Sequence, residues 1–360
     1  MMTNDLGQAP VQPTVGAVRS QSLDQRMQPE DTILVTGAGG FIGGHLVTAL
    51  LHRGFRSIRA VDVKPIGQWY QRPQGVEYLQ TDLRDAGACL QAAAGASWIF
   101  NLAADMGGMG FISYHKADCM LSVLINTHLL MAAREHGVRG YFFASSACVY
   151  NADKQQEADV APLKEEDAYP ALPEDGYGWE KLFSERMCGH FEEEFGLHAR
   201  IARYHNVYGP LGTWEGGREK APAAICRKIA QAKVAGTNEI EIWGDGGQTR
   251  SFMFVDDCVE GTLKIAVSDC VEPLNLGSDR LVTINQLVDI VEQIAGVRMK
   301  RVYNVAAPTG VRGRNSDNTQ IIQALGWQPS ISLEEGLEQT YAWIYDQLVQ
   351  GRRDPAVHVA

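Results

Sequence analysis

Apolar residues in this chain arrive in short runs separated by helix-length amphipathic stretches. Strand-like runs recur at 32–36, 57–63, 76–80, 97–103, 141–146 and 199–204. They are short and rich in β-branched or aromatic residues, as buried strands are. Helical patterns lie between several of them. That alternation predicts an α/β fold built on a doubly wound parallel sheet. After about residue 205 the rhythm changes, with long glycine-marked loops around a helix near 221–232. A strand-like run around 273–276, helices near 284–295 and 332–350, and a loop over 308–318 follow. The expected organisation is a flexible extension over 1–30, a sheet domain over 31–205 and a tail over 351–360. Between them, 206–350 reads as a smaller C-terminal α/β substrate-binding domain with segments returning to the sheet.

Composition narrows the function classes. A hydrophobic content of 45% suffices for a large core, and the formal net charge of −11 disfavours nucleic acid, which needs a basic footprint. No run approaches the roughly 20 apolar residues of a membrane span, and residues 1–28 carry no secretory pattern. Seven scattered cysteines, an odd number, suit reduced cytoplasmic thiols. No Cys-x-x-Cys or His-x-x-x-His pattern supports a metal site.

The most informative stretch is 31–62. The run Thr32–Thr36 meets Gly37-Ala38-Gly39-Gly40-Phe41-Ile42-Gly43, then a helical pattern from His45 to His52. Asp62 closes the next strand, about 20 residues beyond the glycines. Strand, glycine turn, helix and acid form a Rossmann-type dinucleotide site. The turn lets backbone approach a pyrophosphate at a helix N-terminus, and the acid accepts from a ribose. A carboxylate there favours NAD over NADP, although Lys64 leaves NADP open. Gly37, Gly40, Phe41, Ile42, Gly43, Asp62, Asp82, Leu83 and Ala103 are the expected cofactor contacts. Asp82 reads equally well as a helix cap.

Ligands on such sheets bind at the carboxyl ends of the strands. Tyr177 and Lys181 share one helix face at i and i+4, and an ammonium near a phenol favours phenolate. Tyr150 and Lys154 show the same spacing, but they follow a strand end rather than starting a helix. The run Ser145-Ser146-Ala147-Cys148-Val149-Tyr150 ends a predicted strand. Arg250 and Arg312 are candidates for a diphosphate, because a guanidinium fork suits phosphate geometry.

Together these motifs resemble the extended short-chain dehydrogenase/reductase family of nucleotide-sugar epimerases and dehydratases. The resemblance implies Ser146, Tyr177 and Lys181 as catalytic residues, the last two also touching NAD. Ala147-Cys148 stands where sugar 4,6-dehydratases carry Asp-Glu, so dehydration is disfavoured. A methionine- and glycine-rich loop (Asn101–Phe111), the segment Gly216–Pro222 and the loop Gly310–Asn318 sharpen the likeness. Over residues 31–348 they resemble the branch of that family that epimerises GDP-mannose. This implies Cys148 and Lys220 as an acid/base pair, inversion at C3 and C5, and GDP-L-galactose with GDP-L-gulose as products. It also implies substrate contacts from Gly107, Met109, Ser145, Asn206 and Lys220, and a homodimer through helices around 121–136 and 178–195. Residues 151–161 and 234–238 depart from the pattern. Competing readings are a C5-only or 4-epimerase, the latter ignoring Cys148, and a non-catalytic NAD-binding regulator.

Overall fold

The structure, a computed structural model, describes residues 26–350. The tail over 351–360 and most of the expected extension lie outside the described residues. Within the extension, Met27 is fully buried in the core, so packing begins before residue 31.

The first half carries β1 (Thr32–Thr36), β2 (Ser57–Asp62), β3 (Glu77–Gln80), β4 (Trp98–Asn101), β5 (Gly140–Ser146) and β6 (His198–Tyr204). The second carries β7 (Val207–Tyr208), β8 (Glu239–Trp243), β9 (Thr249–Ser251), β10 (Met253–Phe254) and β11 (Leu274–Leu276). It continues with β12 (Leu281–Thr283), β13 (Lys300–Asn304) and β14 (Gly313–Arg314). Seven strands form one sheet in the order β11-β6-β5-β4-β1-β2-β3, every neighbouring pair parallel. The second half does return to it: β11 adds beside β6 with Leu274 opposite Ala202.

The helices are α1 (Phe41–His52), α2 (Ala86–Ala93), α3 (Met109–Tyr114), α4 (Lys116–Glu135) and α5 (Tyr177–Phe195). After β6 come α6 (Ala221–Ala235), α7 (Val255–Ala266), α8 (Ile284–Ala295), α9 (Thr319–Leu325) and α10 (Leu333–Val349). Successive strand residues point to opposite faces. Leu34, Ile99, Tyr141 and Phe143 therefore pack under α2, α4 and α5, while Ile33, Val35, Phe100 and Phe142 join the larger core beneath α1 and α7. Being apolar on both sides is why these strands read as nearly unbroken apolar runs.

Element limits differ from expectation where the chain turns to the site. The strand expected over 97–103 stops at Asn101, because the next residues leave the sheet edge and Ala103 N–H donates to Thr36 Oγ1 at 3.3 Å. The helix expected from His45 begins at Phe41, directly after the glycine turn. The loop over 308–318 contains β14, which pairs in parallel with β9. The helix near 221–232 extends to Ala235 and ends on Gly236 at φ 67°, so the divergent 234–238 segment is a helix end.

Candidate active site

Two cavities open at the carboxyl ends of the sheet strands. The larger, about 670 Å³, is lined by every residue expected to touch the cofactor. Gly37 adopts φ +69°, and a Cβ there would sit 2.8 Å from the Leu102 carbonyl, so the turn admits only glycine. Asp62 accepts from Gly39 N–H at 3.0 Å and from Lys64 N–H at 2.9 Å. Burial raises its carboxyl above the usual range, and those donors act against the rise. Asp82 pairs with Arg84 at 2.6 Å, and the helix cap is Asp85 instead, which accepts from Ala88 N–H at 2.7 Å. A glycine turn at a helix N-terminus with a half-buried carboxylate opposite fits a dinucleotide.

The smaller cavity, about 270 Å³, is lined by Gly107, Met109, Cys148, Asn206, Arg250 and Arg314, among others. Ser146, Tyr177 and Lys220 line both cavities, so the two spaces meet at these side chains. Tyr177 opens α5 and is buried, which pushes its phenol well above the ordinary value, with the Ser146 hydroxyl acting against the shift. Lys181, one turn on, is buried with Nζ 5.6 Å from the Tyr177 ring centre and 4.7 Å from that of Phe143. Glu180 lies 3.6 Å from the same ammonium. Lys220 precedes α6 and lines the junction; burial there lowers its ammonium below the ordinary lysine value.

Cys148 follows the end of β5 in a short turn, where its N–H donates to Ser146 Oγ at 3.2 Å. Burial first, then the Glu174 carboxylate, pushes its thiol up to about 11. Asn206 stands at φ 24°, a left-handed position that asparagine tolerates, and donates from Nδ2 to Ser251 O at 3.0 Å.

Other expected contacts are placed differently. Ser145 lines the cofactor cavity, with its hydroxyl donating to Glu185, which is paired in turn with buried Arg203 at 2.8 Å. Arg250 is buried and donates to the carbonyls of Thr309 (3.0 Å) and Val311 (2.6 Å), strapping that loop over the site. Arg312 is paired with Asp245 at 2.8 Å on a half-exposed surface, away from the cavity lining. Tyr150, the other tyrosine at four-residue spacing, is buried with its hydroxyl on Asn275 at 2.5 Å, and Lys154 pairs outward with Asp167.

Sequence reasoning missed Arg314 and Glu174. Arg314 donates to Cys148 Sγ at 3.5 Å and lies opposite Arg250 in the β9–β14 register. The divergent 151–161 segment props it: Gln155 Oε1 accepts from Arg314 Nε at 2.6 Å. Among the described residues, no group of His, Cys, Asp and Glu is arranged to hold a metal ion.

The family model for the NAD dependent epimerase/dehydratase family matches residues 33–277. The chain belongs to that family. Like its other members it is an NAD-dependent enzyme. It is 48% identical over 317 residues to GDP-mannose 3,5-epimerase 1 of Oryza sativa subsp. japonica, covering 88% of this chain and 82% of that one. It is 47% identical to GDP-mannose 3,5-epimerase of Arabidopsis thaliana over the same shares. Among solved structures, UDP-glucose 4-epimerase of Thermotoga maritima with UDP-glucose superposes at TM-score 0.79. That protein is 28% identical, and the match covers 88% of this chain and 99% of that chain.

Proposed function

We propose that this epimerase inverts GDP-mannose at C3 and C5 through a 4-keto sugar, giving GDP-L-galactose with GDP-L-gulose as the 5-epimer. One observation carries the reading: Cys148 and Lys220 line the same sugar-sized space that Ser146 and Tyr177 join to the cofactor cavity. The 48% identity to a GDP-mannose 3,5-epimerase supports the choice of sugar nucleotide.

Tyr177 takes the proton of the C4 hydroxyl, and Ser146 holds that oxygen. Lys181 favours the phenolate that buried Tyr177 otherwise resists. When bound, NAD supplies a reversible hydride acceptor for C4. The ketone acidifies the C–H bonds on both sides of it. Inversion then needs one group to take a proton and another to return one to the opposite face. Lys220, whose burial favours the neutral amine, and Cys148 both line this space and serve as that pair. Asn206, Met109 and Gly107 shape the space around the sugar. Arg250 and Arg314 supply cations that an enzyme of net charge −11 must concentrate locally for a diphosphate.

We further read residues 31–205 as the cofactor domain and 206–350 as mainly the substrate domain, in a cytoplasmic homodimer. The exposed apolar residues of α4 (Met120, Leu121, Leu124) and α5 (Trp179, Phe183) support the dimer.

The deciding experiment is turnover of GDP-mannose in deuterated water, followed by proton NMR and mass spectrometry. Deuterium at both C3 and C5 with new L-sugar signals is the expected result. Exchange at C5 alone makes the enzyme a C5-epimerase. No exchange with NAD bound moves the substrate to another sugar nucleotide.

A further inference from the structure

Cys148 does not face the cavity alone. Its sulfur accepts from Arg314 Nη1 at 3.5 Å, and Arg314 Nη2 donates to Glu174 Oε2 at 3.4 Å. Arg314 thus bridges the sulfur to the Glu174 carboxylate, whose charge favours the thiol. Backbone fixes the arrangement, because Glu174 N–H donates to the Cys148 carbonyl at 2.9 Å. All three side chains line the substrate cavity.

Two opposite influences therefore meet at one sulfur. A guanidinium beside it favours thiolate, whereas a carboxylate favours thiol. Arg314 is shared, so Glu174 opposes the thiolate directly and also draws off part of the guanidinium's hydrogen bonding. Tyr177 from α5, Lys220 from the start of α6 and Arg250 from β9 face the thiol as well. Glu174 is the carboxylate in this set, and nothing about its loop position ahead of α5 marks it in the sequence.

The geometry points to Glu174 as a positioning residue for Cys148: held to its backbone and bridged to its sulfur by Arg314, it sets how readily the sulfur loses and regains its proton. The transfer balances on the sulfur in either direction. The thiol gives its proton to the sugar carbon, whose electron pair forms the C–H bond, and becomes thiolate. In reverse, the thiolate takes the carbon's proton, and the C–H pair passes to the enolate. Arg314 turns its donation toward the sulfur whenever that is ionised. The inference rests on Cys148 being a proton-transfer group of this site.

The test is a thiol titration on the full NAD-loaded chain. Alkylation of Cys148 by iodoacetamide is followed by mass spectrometry of its peptide from about pH 6 to about pH 11. Glu174→Gln is expected to lower the midpoint by about one unit, alkylating roughly tenfold faster below it. A midpoint that stays put or rises overturns the assignment. Glu174→Asp keeps the charge but withdraws it by one methylene, and a smaller downward movement is expected. If the glutamine variant does not fold, an unmoved or raised midpoint in the aspartate variant overturns the assignment by itself. Cys148→Ser separates the two readings. Wild-type rates of C3 and C5 exchange in that variant end the catalytic reading of Cys148, while the thiol midpoint in Glu174→Gln still reports on Glu174.

Discussion

Gly178, the second residue of α5, sits directly behind Cys148. A Cβ at this position would lie 2.2 Å from the Cys148 carbonyl oxygen and 3.0 Å from Pro173 Cβ. Real Cβ atoms do not come closer than 3.0 Å, so Gly178→Ala must part the start of α5 from the end of β5 by roughly 0.8 Å. Alanine gains about 1 kcal/mol over glycine from helix propensity. Overpacking against backbone costs about 1–3 kcal/mol, so the balance falls on the destabilising side. Function suffers more than stability, because the displacement separates Tyr177 on the helix from Ser146 at the strand end and Cys148 in the turn after it. A misplacement of about 1 Å in a reacting constellation costs roughly a hundredfold in rate, or about 2.7 kcal/mol in the barrier. The assay is sugar turnover alongside NAD retained after gel filtration and a melting curve. The expected result is a roughly hundredfold loss of turnover with NAD still bound, since the Gly37–Gly43 turn lies on other elements. Gly189→Ala, in the same helix with nothing near its Cβ, is the control and should be neutral or stabilising. Gly178→Ala within about threefold of wild type, with an unchanged melting temperature, would refute the reasoning.

Two further outcomes follow from the same physics. Burial lowers the folded-state pKa of Lys220, so folding opposes its charged form. That destabilisation is fully present below the folded pKa and is relieved as pH rises toward the ordinary lysine value. Lys220→Met should therefore melt above wild type near about pH 7, the gap narrowing by about pH 10, while C3/C5 exchange falls by about a hundredfold or more. A gap that does not vary with pH would contradict the assignment. Phe183 on α5 is exposed, so Phe183→Glu should leave the fold intact yet convert a dimer to a monomer by light scattering. An unchanged mass would show that α5 is not the interface.

Much of the architecture was legible because it depends on short-range periodicity. All seven strands of the sheet were visible as short runs, and burial on both faces is the reason for the central ones, while edge strand β3 is only partly covered. The cofactor cradle was equally readable: glycines, helix start and acid fall within one βαβ unit, whose geometry is local. Tyr177 and Lys181 at i and i+4 needed only the helix that holds them.

Elsewhere, spacing pointed to more than one residue and long-range packing chose. Tyr150 and Lys154 match the same spacing, but no α-helix carries them, and Asn275, 125 residues away, takes the tyrosine hydroxyl. Arg312 and Arg314 are indistinguishable as sequence. The β9–β14 pairing places Arg314 opposite Arg250 and beside Cys148, while Asp245 holds Arg312 outward. Glu174 joins Cys148 only because the loop before α5 folds back onto the end of β5. The sequence by itself determined the sheet, the cofactor turn and the helix-borne tyrosine and lysine, since each arises within a few residues of chain. Tertiary structure alone decided which charges meet at the sulfur, because those contacts join segments that only the packed sheet brings together.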